Sequence, residues 1–141
     1  MAIIGGAGNP VGGSFTGPAQ ALEIAGDRCF GFSGEITINN STVSQFEFTT
    51  GNYLAVILYQ FGYDSTSMTG SDRMGYTIHL NDSKIYELLP LIKVDYAMVS
   101  IDPVELVIPA YTEVKIEATT TEGADIGTWG VISGRIYRTR D

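Results

Sequence analysis

Along most of the chain after Gly26, apolar residues recur at every second position. That is the repeat of a half-buried strand and not of a helix. Phe30, Phe32, Ile36 and Ile38 share one parity, and Gly31, Ser33, Glu35 and Thr37 the other, which predicts an opening strand whose phenylalanines face the core. Asn39-Asn40-Ser41 turns the chain. Phe46 and Phe48 then oppose Gln45, Glu47 and Thr49 in a second strand, closed by Gly51-Asn52. The third, Tyr53 to Tyr63, is apolar on both parities: Tyr53, Ala55, Ile57, Tyr59 and Phe61 on one, Leu54, Val56 and Leu58 on the other. Such a strand is expected to be covered on both faces.

After a polar loop from Asp64 to Arg73, Tyr76, Ile78 and Leu80 alternate with Thr77, His79 and Asn81, and Asn81-Asp82-Ser83 predicts a hairpin turn into Lys84 to Leu88. Pro90 to Ile101 fits a short strand or a helical turn equally well. Val104, Leu106 and Ile108 share a parity, Pro109 bends the chain between sheets, and Val114, Ile116 and Ala118 form another inward row. Thr128 to Tyr137 is the last strand and carries Trp129. About seven to nine strands at roughly 8–12-residue spacing predict an all-β fold, an antiparallel sandwich of jelly-roll type.

The first residues do not share this pattern. Met1 to Leu22 has no charged side chain, and Gly5, Gly6, Gly8, Gly12, Gly13 and Gly17 stand beside Pro10 and Pro18. Glycine raises the entropy cost of ordering and proline removes a donor, so this composition predicts an extended arm laid along a neighbour, with a disordered tail as the alternative, and not a packed element. The expected division is an arm over residues 1–26 and a sandwich domain over 27–141. Ile3, Ile4, Val11, Phe15 and Leu22 are the side chains with which the arm would meet a neighbour. The start lacks a basic stretch followed by a long apolar run, so no secretory leader is expected, and no apolar run is long enough for a membrane helix.

Composition narrows the function. Acids outnumber bases 16 to 8, for a net charge of −8, which makes duplex nucleic acid a poor partner. The single cysteine, Cys29, excludes a disulfide within the chain. His79 is the only histidine and falls at an outward strand position, so neither a Cys–His pair nor a zinc site is indicated, and no cofactor is expected. No phosphate-binding glycine loop and no serine-nucleophile elbow occurs. Asp64, Asp72, Asp82 and Asp125 fall in expected loops without a calcium-binding spacing, and Glu35, Glu47, Glu113 and Glu117 alternate with core positions as solvent-facing residues do. An enzyme is not expected.

Aromatics are the remaining notable group, with Tyr 8, Phe 6 and Trp 1. Tyrosine joins an apolar body to a polar tip, which suits interfaces. Tyr53, Tyr59, Tyr63, Tyr111 and Tyr137 are therefore interface candidates, with the edge of the core as the alternative place for them. The short strands in Greek-key-like order, the stretch Leu106-Val107-Ile108-Pro109-Ala110-Tyr111-Thr112-Glu113-Val114 and the closing Gly130-Val131-Ile132-Ser133-Gly134-Arg135-Ile136-Tyr137 resemble single jelly-roll structural proteins of viruses, especially phage head decoration or cement proteins. The resemblance implies a homo-oligomer, often a trimer, made in the host cytoplasm and seated on the capsid surface of the virion against the major capsid protein, without catalysis. A single jelly-roll shell protein is a close variant. The rival reading is a lectin-like carbohydrate-binding module with Trp129 as its sugar platform.

Overall fold

Asn81 and Asp82 both adopt positive φ, the backbone of a tight two-residue hairpin turn, in the computed structural model, which describes residues 21–64, 73–91, 98–121 and 123–138. Eleven strand segments are present among these residues: β1 Glu23–Ala25, β2 Arg28–Phe32, β3 Ile36–Ile38, β4 Thr42–Thr49, β5 Tyr53–Asp64, β6 Met74–Leu80, β7 Ser83–Leu91, β8 Met98–Ser100, β9 Val104–Ile108, β10 Glu113–Thr120 and β11 Ile126–Arg138. Every pairing is antiparallel.

The strands form two sheets. One has the order β4-β10-β6-β7; the other runs β1-β2-β11-β5-β8, with β3 also on β11 and β9 also on β5. If β2 with β3, and β8 with β9, are each taken as one interrupted strand, the pairing rule is simple. The first strand pairs with the last (β2/β3 with β11), the second with the seventh (β4 with β10), the third with the sixth (β5 with β8/β9) and the fourth with the fifth (β6 with β7). This is one long hairpin rolled up so that successive rungs alternate between two sheets. It is the jelly-roll arrangement, two Greek keys in a sandwich.

The corner that carries the chain from one sheet to the other lies at Pro109, as the sequence predicts. Thr50 Oγ1 donates to the Pro109 carbonyl at 2.8 Å and accepts from the Thr112 amide at 2.8 Å, tying the β9–β10 corner to the β4–β5 turn. Tyr111, at φ 54, stands out from that corner into solvent.

The core lies between the sheets. Phe46, Phe48, Val114, Ile116, Ala118, Tyr76 and Ile78 from one meet Ile57, Tyr59, Phe61, Ile108, Ile132 and Ile136 from the other. Tyr59 packs edge-on against Tyr76 with centroids 4.9 Å apart, and Phe61 lies 5.1 Å from the same ring. Three sequence expectations about the strands are corrected by the structure. In β2 the buried positions are Cys29 and Gly31, while Phe30 is half-buried and Phe32 exposed. The alternation was there, but its inner side is the other one. A Cβ on Gly31 would already lie 3.1 Å from the Phe46 ring, so the sandwich has no depth for phenylalanine at this level.

Gln45 also departs from its expected outward face. The β4–β10 register steps from Ile116↔Phe46 to Glu117↔Ser44, so Gln45 is the extra residue of a bulge, and it is buried beside Phe46. The arm boundary needs adjustment too. Leu22 and Ile24 are buried and β1 pairs with β2, so residues 21–25 belong to the sandwich and not to a free arm.

Burial has a titration consequence. It pushes the Cys29 thiol up from 9.0 to about 11 and the Tyr76 phenol up to about 12, and it raises Tyr59 well above its ordinary value. The folded chain therefore keeps protons that the unfolded chain releases as pH rises past about 9. Stability is fully present below that pH and is lost as pH climbs through the folded values. Urea midpoints should be level from pH 7 to 8.5 and fall between pH 9 and 11, with the first part of the fall missing in Cys29→Ala. A midpoint unchanged up to pH 10.5 would contradict this.

Candidate interaction surface

The two sheets present different faces to the outside. On the β4-β10-β6-β7 sheet the outward residues are charged and paired across strands: Glu47 stands beside Lys115, Lys115 beside His79, and His79 beside Lys84. His79 Nδ1 also lies 3.8 Å from Glu117 Oε1, and Lys84 Nζ bonds Glu87 at 3.1 Å. Ile85 and Tyr86 of the edge strand β7 are also exposed on this sheet.

The outer face of the β2-β11-β5-β9 sheet is built from other residues. Register places Glu23, Phe30, Ser133, Leu58 and Glu105 in one row across the strands, and Ala25, Arg28, Arg135, Val56 and Val107 in the next. Phe32 is 61% exposed, Val107 57%, Tyr137 53% and Leu58 44%, with Leu54 also exposed. Phe30 and Phe32 lean together with ring centroids 5.8 Å apart. A depression of about 310 Å³ runs through this face, lined by Arg28, Val56, Leu58, Glu105, Arg135 and Tyr137. Arg135 bonds Asp27 at 3.2 Å. Apolar residues of this face form two groups, Phe30 with Phe32 on β2 and Leu58 with Val56 and Val107 across β5 and β9, with Ser133 and Arg135 of β11 between them.

The sequence candidates fall in several places. Ile3, Ile4, Val11 and Phe15 lie outside the described residues. Tyr53, Tyr59 and Tyr63 are buried, because their parity in β5 is the inward one, and the reading of them as interface residues is corrected: they are core. Leu22 is core as well. Tyr137 does belong to the exposed face, and Tyr111 is exposed at the Pro109 corner, away from it.

Trp129 pairs with Gly62 on the outer side of β11, half-buried. A Cβ at Gly62 would sit 2.3 Å from its indole, so the ring is laid on bare backbone. Phe30, Phe32, Leu54, Leu58 and Val107 are the surface residues that sequence parity missed. The available signal was the double-sided apolarity of Tyr53 to Tyr63, which predicted covering on both faces. Among the described residues only the inner face is covered.

Groups that could do chemistry are dispersed. Cys29 is buried in one sheet and His79 lies on the outer face of the other. No group of three or more His, Cys, Asp or Glu is placed to hold a metal among the described residues. Asp125 instead accepts a hydrogen bond from Asn39 at 3.0 Å, joining two turns.

No protein-family model matches the chain, and no curated protein matches it in sequence. Solved structures do match. A protein of the icosahedral infectious bursal disease virus particle superposes over 91% of this chain and 36% of its own, with a TM-score of 0.51 and 13% identity. The same virus in its Gt strain gives 90% and 38%, a TM-score of 0.50 and 13% identity. The shared feature is the antiparallel β fold. The chain spans little more than a third of the length of these neighbours, and the likeness at such low identity is one of architecture.

Proposed function

We propose that this protein is a non-enzymatic structural component of a virus particle, which decorates or cements the capsid through self-association and contacts made by residues 1–20. The observation that carries the reading is the rolled-hairpin pairing of the strands, an architecture this chain shares over nine-tenths of its length with an infectious bursal disease virus particle protein. The division of the surface supports it. One sheet carries cross-strand charge pairs, and the other leaves Phe32, Leu54, Leu58 and Val107 exposed beside Arg28, Arg135 and Glu105. The excess of acids keeps such a molecule soluble before it assembles.

Electron microscopy and density-gradient sedimentation of the source particles test the proposal. The protein is expected in the particle fraction, at fixed positions of the lattice. Its recovery only as free protein, with no matching density on the particle, would overturn the role. Shortening the chain to begin at Ala21 is expected to weaken particle association while preserving the far-ultraviolet circular dichroism. Starting at Asp27 is a poor variant, since it removes β1 and the buried Leu22 and Ile24 along with the arm.

A further inference from the structure

We infer that the outer face of the β2-β11-β5-β9 sheet is a two-fold interface between copies of this chain. The occupant follows from the charges around the depression. Arg28 on β2 stands on one side and Glu105 on β9 on the other, with β11 and β5 between them. Neither takes part in an ion pair among the described residues. A two-fold axis lying between β11 and β5, inclined to the strands because Arg28 and Glu105 stand in neighbouring rows, turns the face over so that Arg28 of each copy lies against Glu105 of the other and β5 of each copy lies over β11 of its partner. An isologous contact requires a surface that complements itself, and this one does.

The whole chain carries −8, so two copies repel each other over most of their surface. On this face Arg28 and Arg135 stand beside Glu23, Asp27 and Glu105, so the charge here is close to balanced and adds little to that repulsion. Four strands at about 4.8 Å spacing stand side by side over about five residues at about 3.3 Å rise, a central patch of roughly 20 by 16 Å that β5 and β11 prolong. Sheets that pack face to face are a common solution for covering such a surface. The inference goes beyond the particle role, because a pair can form with no shell present.

Sedimentation equilibrium of the full-length chain and its variants tests it. The unaltered protein is expected to self-associate in the micromolar range. Leu58→Asp and Val107→Asp, both at exposed positions and so compatible with folding, should each weaken association at least tenfold, with near-ultraviolet circular dichroism unchanged. Arg28→Glu alone should weaken it about tenfold, and Arg28→Glu with Glu105→Arg should recover most of that loss. Glu47→Lys on the opposite sheet should change it less than threefold.

A chain that stays monomeric at 100 µM, or association indifferent to Leu58→Asp and Val107→Asp, would overturn the inference. So would failure of the charge swap to restore pairing. Loss of association when Ile3, Ile4, Val11 and Phe15 are all changed to Ser, with the face intact, would give the face to residues 1–20 instead. Pairing with no particle association would leave this inference standing and remove the particle role; particle association without pairing would do the reverse.

Discussion

Gly134→Ala is expected to lower the folding stability by about 3 kcal/mol, the upper part of the range for overpacking a tight interior. Gly134 lies in β11 between Cys29 of β2 and Ile57 of β5. The β5 backbone approaches so closely that an added Cβ would sit 2.1 Å from the Val56 carbonyl oxygen and 2.7 Å from the Ile57 Cα. Neither is the end of a flexible side chain. To make room, two neighbouring strands of the sheet must separate, and β11 to β5 is its longest pairing, from Thr128↔Tyr63 to Arg138↔Tyr53. At ordinary sites Gly→Ala gains about 0.4–1 kcal/mol by restricting the unfolded chain, so a loss here has the opposite sign. Urea unfolding should show the midpoint falling by roughly 1.5 M at an m-value of about 2 kcal/mol/M. A variant as stable as the parent would mean that the strands are farther apart than described. Gly62 offers the contrast: its obstacle is the half-buried Trp129 ring on the outer face, which can rotate away.

Gln45→Leu is expected to cost about 2–3 kcal/mol, although it exchanges a polar side chain for an apolar one in an apolar core. The bulge in β4 turns Gln45 inward, where its Oε1 accepts from the Tyr59 hydroxyl and its Nε2 donates to Thr128 Oγ1 at 3.2 Å. Thr128 Oγ1 passes its own hydrogen to the Gly62 carbonyl at 2.9 Å. Every member of this buried chain has a partner, and leucine would strand the Tyr59 hydroxyl. Removing both polar ends should therefore be milder than removing one. Gln45→Leu with Tyr59→Phe is expected to be more stable than Gln45→Leu alone, with a coupling of about 1 kcal/mol or more in the double-mutant cycle. Simple additivity of the two losses would show that the bond contributes nothing. Gly130 belongs to the same arrangement, since a Cβ there would lie 2.6 Å from Gln45 Oε1.

Much of the fold is legible in the residues. Alternation of Phe46 with Phe48, of Tyr76 with Ile78, and of Val114 with Ile116 and Ala118 marks strands whose inner sides are those found. Asn40, Asn81 and Asp82 hold the positive φ values that short polar residues tolerate, so the turns stand where the sequence puts them. Pro109 marks the passage between sheets.

The interaction surface is less legible, and the reason is physical. Alternation states that two sides differ without stating which is inner. In β2 glycine and cysteine take the inside because Phe46 already fills the space, and the phenylalanines go out. The tyrosines of β5 show the converse, since Tyr59 satisfies its hydroxyl inside the sandwich on a glutamine that a one-residue bulge delivers.

By itself, then, the sequence determined an all-β, acidic chain of short antiparallel strands with a charge-free start, because strand period, turn chemistry and charge are local properties. Which strands pair, which side of β2 and β5 is buried, and that Phe32, Leu58 and Val107 gather beside Arg28 and Glu105 were decided only in three dimensions. Those facts depend on residues far apart in the chain competing for the same volume, and no local pattern records the outcome of that competition.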